Sequence, residues 1–163
     1  MLVLIFFPAL MAFAASSDLL TMRISNRLVL ALIIGFIVLA MVIGMPLLQF
    51  AIHLGIAALV LVVAFTFFTF GWVGGGDAKL AAATALWLGS SATVPYLIYA
   101  ALGGGVLTLA IIVVRKMPLP TQLFRFSWVQ RLYNISKIPY GIALAAAGLL
   151  VYPQSIIFTH FAS

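Results

Sequence analysis

Asp18 and Asp77 are the only acidic side chains in this chain of 163 residues, which also contains no Glu and no Cys. That inventory narrows the chemistry. Without Cys there is no thiolate nucleophile, no disulfide and no thiolate zinc site. Cages for calcium or magnesium need several carboxylates, so these are not expected either. Two carboxyls brought together can share one proton, because the first ionisation resists the second. One then acts as general base toward water and the other as acid toward a carbonyl. Such a pair titrates as a unit, and neither role falls to a named Asp. Each residue alone has a plainer use: Asp77 as a helix N-cap, Asp18 as a polar stop after a helix.

Three glycines, Gly74-Gly75-Gly76, stand directly before Asp77. Each costs a helix about 1 kcal/mol relative to Ala, so the run predicts an extended, water-accessible segment that ends at a helix N-terminus. At membrane depth such backbone persists only where it is buried in protein or lines a wet cavity. The glycines are therefore candidate backbone for holding a substrate beside Asp77.

The composition fixes the solvent around these residues. Hydrophobic types make up 66% of the chain and charged ones 6%, with a mean hydropathy of +1.33. A water-soluble domain carries about a quarter charged residues, so this is an integral membrane protein. Continuous apolar runs argue for helices over a strand barrel. Runs over 1–17, 28–44, 47–72, 78–93, 96–114 and 138–158 predict an all-α bundle of six transmembrane helices in a single domain, 1–163. The first run resembles a signal peptide, but no Lys or Arg precedes it, so it is read as the first span.

Alternation of six spans sends all basic residues to one side. Arg23 and Arg27 fall in the first loop and Lys79 beside the glycines; Arg115, Lys116, Arg125, Arg131 and Lys137 lie in the loop at 115–137. The positive-inside rule places that side in the cytoplasm and both termini outside. Both aspartates come to the cytoplasmic side at similar depth. The run over 78–93 rises roughly 24 Å, less than the hydrocarbon thickness, which sets Asp77 slightly below the surface. An ionisable group at membrane depth is a functional candidate by default. His53 and His160 fall toward the outer side as interfacial polar residues, so no metal and no cofactor is expected.

Around both acids the chain resembles a known family. Gly74-Gly75-Gly76-Asp77-Ala78-Lys79-Leu80 is similar to the GxGD signature of intramembrane-type aspartic proteases, in its prepilin peptidase form. Asp18-Leu19-Leu20-Thr21-Met22-Arg23-Ile24-Ser25-Asn26 resembles the companion motif at the end of the first helix. Lys137-Ile138-Pro139-Tyr140-Gly141-Ile142-Ala143 resembles the segment opening the last helix in the short CpaA/TadV type that serves Flp pili. Relatives of the presenilin kind have Tyr before the first Asp; here Ser17 precedes Asp18. The resemblance implies a bacterial inner-membrane endopeptidase with Asp18 and Asp77 catalytic. Its substrate would be a prepilin or pseudopilin, cut at the cytoplasmic face where the leader meets the hydrophobic helix. Ser25 stands where the family usually has Pro, which loosens the turn after Asp18 without removing chemistry. The four-cysteine zinc motif of the long members is missing, which leaves N-methylation unassigned.

The remaining features read more plainly. The loop at 115–137 mixes basic residues with Phe124, Phe126, Trp128 and Tyr133, which suits lipid headgroups better than nucleic acid. Gly103-Gly104-Gly105, and Gly141, Ala145 and Gly148, suit close helix–helix contacts. Lys79 is expected to snorkel to the headgroups instead of pairing with Asp77. A proton-coupled carrier and an assembly subunit are the competing functions; no inverted repeat of the Gly74–Asp77 motif favours the first. The topology is directly testable because the chain lacks Cys. Single cysteines at Ser25 and Gln122 should be labelled only from the cytoplasm and one at Ser91 only from outside; Ser91 labelled from the cytoplasm would overturn the six-span alternation.

Overall fold

In the computed structural model, which describes residues 2–116, 126, 129–130 and 138–162, every regular element is a helix. The elements are α1 (Leu2–Thr21), α2 (Asn26–Val42), α3 (Leu47–Thr69), α4 (Gly75–Lys116), α5 (Tyr140–Val151), a 3-10 turn (Tyr152–Gln154) and α6 (Ile156–Ala162). Among them α1, α3 and α4 are long and apolar enough to cross a membrane. Asn26–Val42 and Tyr140–Gln154 are apolar but shorter. Most of the loop at 115–137, with Phe124, Arg125, Trp128, Arg131, Tyr133 and Lys137, lies outside the described residues.

The expected spans 78–93 and 96–114 are joined in α4, which runs for 42 residues and breaks at Gly89, φ +67° and ψ −163°. The break is a reversal. Asp77 and Thr108 would stand roughly 46 Å apart on a straight helix, yet both line one groove. Sequence reasoning put this boundary at 90–95, drawn by Ser90 and Pro95. Pro95 instead sits inside the second half, and the left-handed backbone that only glycine adopts cheaply decides the site.

His53 explains how the break is held. It was expected at an outer interface, but it is 1% exposed and stacked on Phe36, ring centroids 5.3 Å apart. Its Nδ1 lies 2.7 Å from the Leu86 carbonyl, whose regular helical partner, the Ser90 amide, is across the break. A carbonyl only accepts, so Nδ1–H donates and satisfies that oxygen. The imidazole also occupies the space over the hinge. A Cβ at Gly89 would stand 2.6 Å from His53 Cε1.

The core centres on Trp87, two residues before the break and 1% exposed. Its Nε1–H donates to the Leu32 carbonyl at 2.9 Å, tying α4 to α2. Phe7 of α1 lies 5.3 Å from the Trp87 ring and 4.6 Å from Tyr152, centroid to centroid, so the same cluster reaches the end of α5. The last span, expected unbroken over 138–158, is interrupted after Val151. Pro153 lacks an amide proton, the chain tightens into the 3-10 turn, and Ser155 Oγ accepts the Phe158 amide at 3.2 Å to start α6.

Gly89→Ala should lower stability by about 2–5 kcal/mol, from left-handed strain plus overpacking on His53. Gly55→Ala, in the middle of α3 with nothing within 4 Å of its Cβ position, should be neutral or slightly stabilising. Thermal unfolding in detergent compares the two, and equal melting temperatures would contradict the hinge assignment.

Candidate active site

Asp18 belongs to the last turn of α1, which continues past the expected boundary at Ser17 to Thr21. The helix ends because Met22 turns left-handed at φ +52°, with its amide on the Asp18 carbonyl at 2.8 Å. For a residue other than Gly that conformation costs roughly 1–2 kcal/mol. Two hydroxyls secure the turn: Ser17 Oγ donates to the Arg23 carbonyl at 3.0 Å, and Thr21 Oγ1 donates to the Ser17 carbonyl at 2.7 Å. Ser25 then caps α2, accepting the Arg27 amide at 3.1 Å. Its φ of −69° is one that Pro would also adopt, so Ser fits this turn and adds a cap where loosening was expected.

Asp77 lies in the first turn of α4. The glycines before it correct the sequence reading in one respect. Gly75 and Gly76 are already helical, only Gly74 lies outside, and none of the three has positive φ. What glycine provides here is proximity. A Cβ on Gly76 would come 3.2 Å from Ile24 Cβ and 3.5 Å from the Ile24 amide nitrogen, so the turn after Asp18 lies directly on the start of α4. A Cβ on Gly74 would stand 2.7 Å from Asp77 Oδ2. Lys79 adds a second tie between the two segments, its Nζ donating to Asn26 Oδ1 at 3.1 Å.

The third segment at this end is the start of α5. The Gly141 amide donates to Asp18 Oδ2 at 2.7 Å. Gly141 was read from sequence as a packing residue like Gly148, which does pack closely, its Cβ position 3.1 Å from Thr84 Cγ2. The signal for its other role was its position just after Pro139 at a helix N-terminus, where amides lack intrahelical partners.

Both carboxyls are buried, Asp18 at 4% and Asp77 at 9% exposure, and both line one cavity of about 690 Å³. Gly74, Gly75 and Gly76 line it too, as do Arg23, Phe68 and Tyr140. A second, apolar groove of about 1020 Å³ runs between α3 and the second half of α4, past Val60, Ala64, Leu97 and Gly104. Asp77, Val73 and Tyr140 border both spaces. Tyr140 is held there by Thr108, whose own proton goes to the Gly104 carbonyl at 2.7 Å, so the phenol donates to Thr108 Oγ1 at 3.3 Å. Among the described residues no three His, Cys, Asp or Glu side chains converge. His53 is at the hinge and His160 is exposed on α6. Two carboxyls facing a space large enough for water and a peptide are equipped for acid–base chemistry on a polar bond.

The fold and site together define an all-helical membrane protein built around a buried acidic pair. Residues 5–109, which contain Asp18, Asp77 and the hinge, match the type IV leader peptidase family. The chain belongs to that family and is a peptidase. No curated protein and no solved structure matches it.

The contact between Gly76 and Ile24 should be graded by size. Gly76→Ala should be tolerated with a small shift of Ile24, whereas Gly76→Val should force the turn away from α4. With 13C-labelled aspartate only two side chains carry the label. The separation of the two carboxyl carbons, measured by solid-state NMR in bilayers, should rise in the Val variant alone; an unchanged separation there would remove Gly76 from the site's architecture.

Proposed function

We propose that this chain is an aspartic endopeptidase of the membrane that removes the leader from a prepilin or pseudopilin, with Asp18 and Asp77 as the dyad. The supporting observation is that the two acids, the whole acidic complement of the chain, come from helices 59 residues apart and line one cavity while nearly excluded from solvent. An ionisable group is costly at membrane depth, so two converging there answer to chemistry better than to capping.

In the reaction one carboxyl is ionised and the other protonated. The ionised one takes a proton from water, whose oxygen attacks the scissile carbonyl carbon. The protonated one gives its proton to the carbonyl oxygen, and the tetrahedral intermediate forms. Collapse breaks the carbon–nitrogen bond, the amine leaves with a proton from the dyad, and a carboxylic acid and an amine are released. No bound metal or cofactor takes part in this scheme.

The further parts of the reading follow from charge and length. The reversal at Gly89 makes α4 two crossings, and with α1, α2, α3 and α5 the chain has six, as one peptidase domain over 1–163. The basic residues then lie in the cytoplasm, both termini outside, and the dyad at the cytoplasmic face of a bacterial inner membrane. A basic leader would meet the dyad from the cytoplasm, with extended substrate entering the cavity that Gly74, Gly75 and Gly76 line. The loop at 115–137 would rest on anionic lipid.

Asp18→Asn and Asp77→Asn should each abolish cleavage of a co-expressed prepilin, with expression and membrane insertion nearly unchanged. Asn keeps the size and capping capacity of Asp but carries no exchangeable acid proton, and loss of acid–base assistance is worth about 10²–10⁴-fold per step. The double variant should be no worse than either single one, because the two act as a unit. Wild-type processing in either Asn variant would put the carrier or assembly reading first.

A further inference from the structure

Gly141 touches the dyad but lies beyond the residues that match the family. It is the second residue of α5, a helix of 12 residues, and its amide is one of those a helix leaves unpaired at its start. That amide ends on Asp18 Oδ2, across 123 positions of sequence, in a buried contact of 2.7 Å. The site leaves no room for a side chain there. A Cβ at Gly141 would stand 2.7 Å from Asp18 Oδ2, 2.9 Å from its Cγ and 2.9 Å from Ile24 Cδ1. Neither side of that overlap is a loose surface chain. The carboxyl is buried, and Ile24 is the residue on which Gly76 rests.

We propose that Gly141 is the positioning residue of the dyad: its amide pins one oxygen of Asp18, and its missing side chain allows the carboxyl to reach the helix start. The inference rests on the Asp18/Asp77 reading and deepens it. A carboxylate at the end of a free side chain rotates about its last bond, and a misplacement of about 1 Å can cost roughly 10²-fold in rate. Hydrogen bonding one oxygen to backbone removes that freedom. The same contact sets where α5 begins relative to α1, so Tyr140, the preceding residue, stands at the border between the polar cavity and the apolar groove.

Gly148 is the control. It lies on the same helix and is packed tightly, though less so than Gly141, by Thr84 Cγ2 at 3.1 Å and Met11 Sδ at 3.5 Å, and it does not touch the acids. Gly141→Ala should lower kcat about a hundredfold with KM within about threefold. Gly148→Val, whose larger side chain brings the loss of melting temperature to a comparable level at this less crowded position, should keep kcat within about threefold of wild type. Equal losses in both, or wild-type kcat in Gly141→Ala, would overturn the proposal. A second measurement leaves Gly141 in place. The Asp77→Asn protein has Asp18 as its single side-chain carboxyl, so 13C-aspartate reports on that group alone. In bilayers with 15N-glycine, the Asp18 carboxyl carbon should show strong dipolar dephasing by a glycine nitrogen. Lack of dephasing would overturn the contact whether or not the protein cleaves prepilin, while dephasing with processing retained in both Asn variants would break the catalytic reading and leave the contact standing.

Discussion

The dominant constraint is the cost of holding two carboxyls out of water in a chain with no other acid. Burying an ionisable group without partners costs several kcal/mol even after relaxation. Here the partners are backbone amides at helix starts. Asp18 accepts from Gly141 at the start of α5, and Asp77 sits in the first turn of its own helix with the Gly74 amide against it. Helix starts carry unpaired amides and the positive end of the helix dipole, so each offers the same kind of compensation. Gly74 and Gly141 are the two glycines whose Cβ would collide with a carboxyl oxygen, so at both places the approach of the acid to the backbone requires glycine.

That constraint fixes three chain segments at one end of the bundle: the turn after α1, the start of α4 and the start of α5. The far end must then supply the reversals that return the chain. Gly89 makes one of them, and its cost is met locally by His53, which satisfies the Leu86 carbonyl and fills the space beside the hinge. Trp87, two residues earlier, converts the hinge into packing by bonding α2 and stacking near Phe7 of α1. The two ends are mechanically linked through the first half of α4, with Asp77 at one extremity and the His53 hinge at the other.

How much of this was legible in the sequence differs by kind of interaction. Apolar runs and two lone aspartates are composition signals, and they gave a helical membrane protein and a pair of residues that the fold does bring to one cavity. Helix limits depend on single-residue backbone states. Met22 turning left-handed and the 3-10 turn at Pro153 were not readable, and the break at Gly89 was misplaced because Ser90 and Pro95 gave a stronger punctuation signal. The Gly74–Gly76 run was read as extended chain when its value is closeness to Ile24 and Asp77. His53 and Gly141 act across 33 and 123 positions, and no local pattern announces a partner that distant.

The two spaces that meet at Asp77 differ in what they can hold, and the difference bears on the proposed reaction. The cavity at the acids is walled partly by backbone and by Arg23, so it suits water and an extended peptide whose amides need partners. The groove beside it is walled by aliphatic side chains and glycines of α3 and α4, and suits a segment whose own backbone is already paired, which in lipid means a helix. A substrate lying across the boundary would have to change from helix to extended chain at Asp77, beside Tyr140. Peptide bonds inside a helix are shielded by their own hydrogen bonds and side chains, so water can attack only where that helix has ended. Joining an apolar groove to a polar cavity at the carboxyl therefore accounts, on the proposed reading, for cleavage at the edge of a hydrophobic helix without any pocket that reads the leader's sequence.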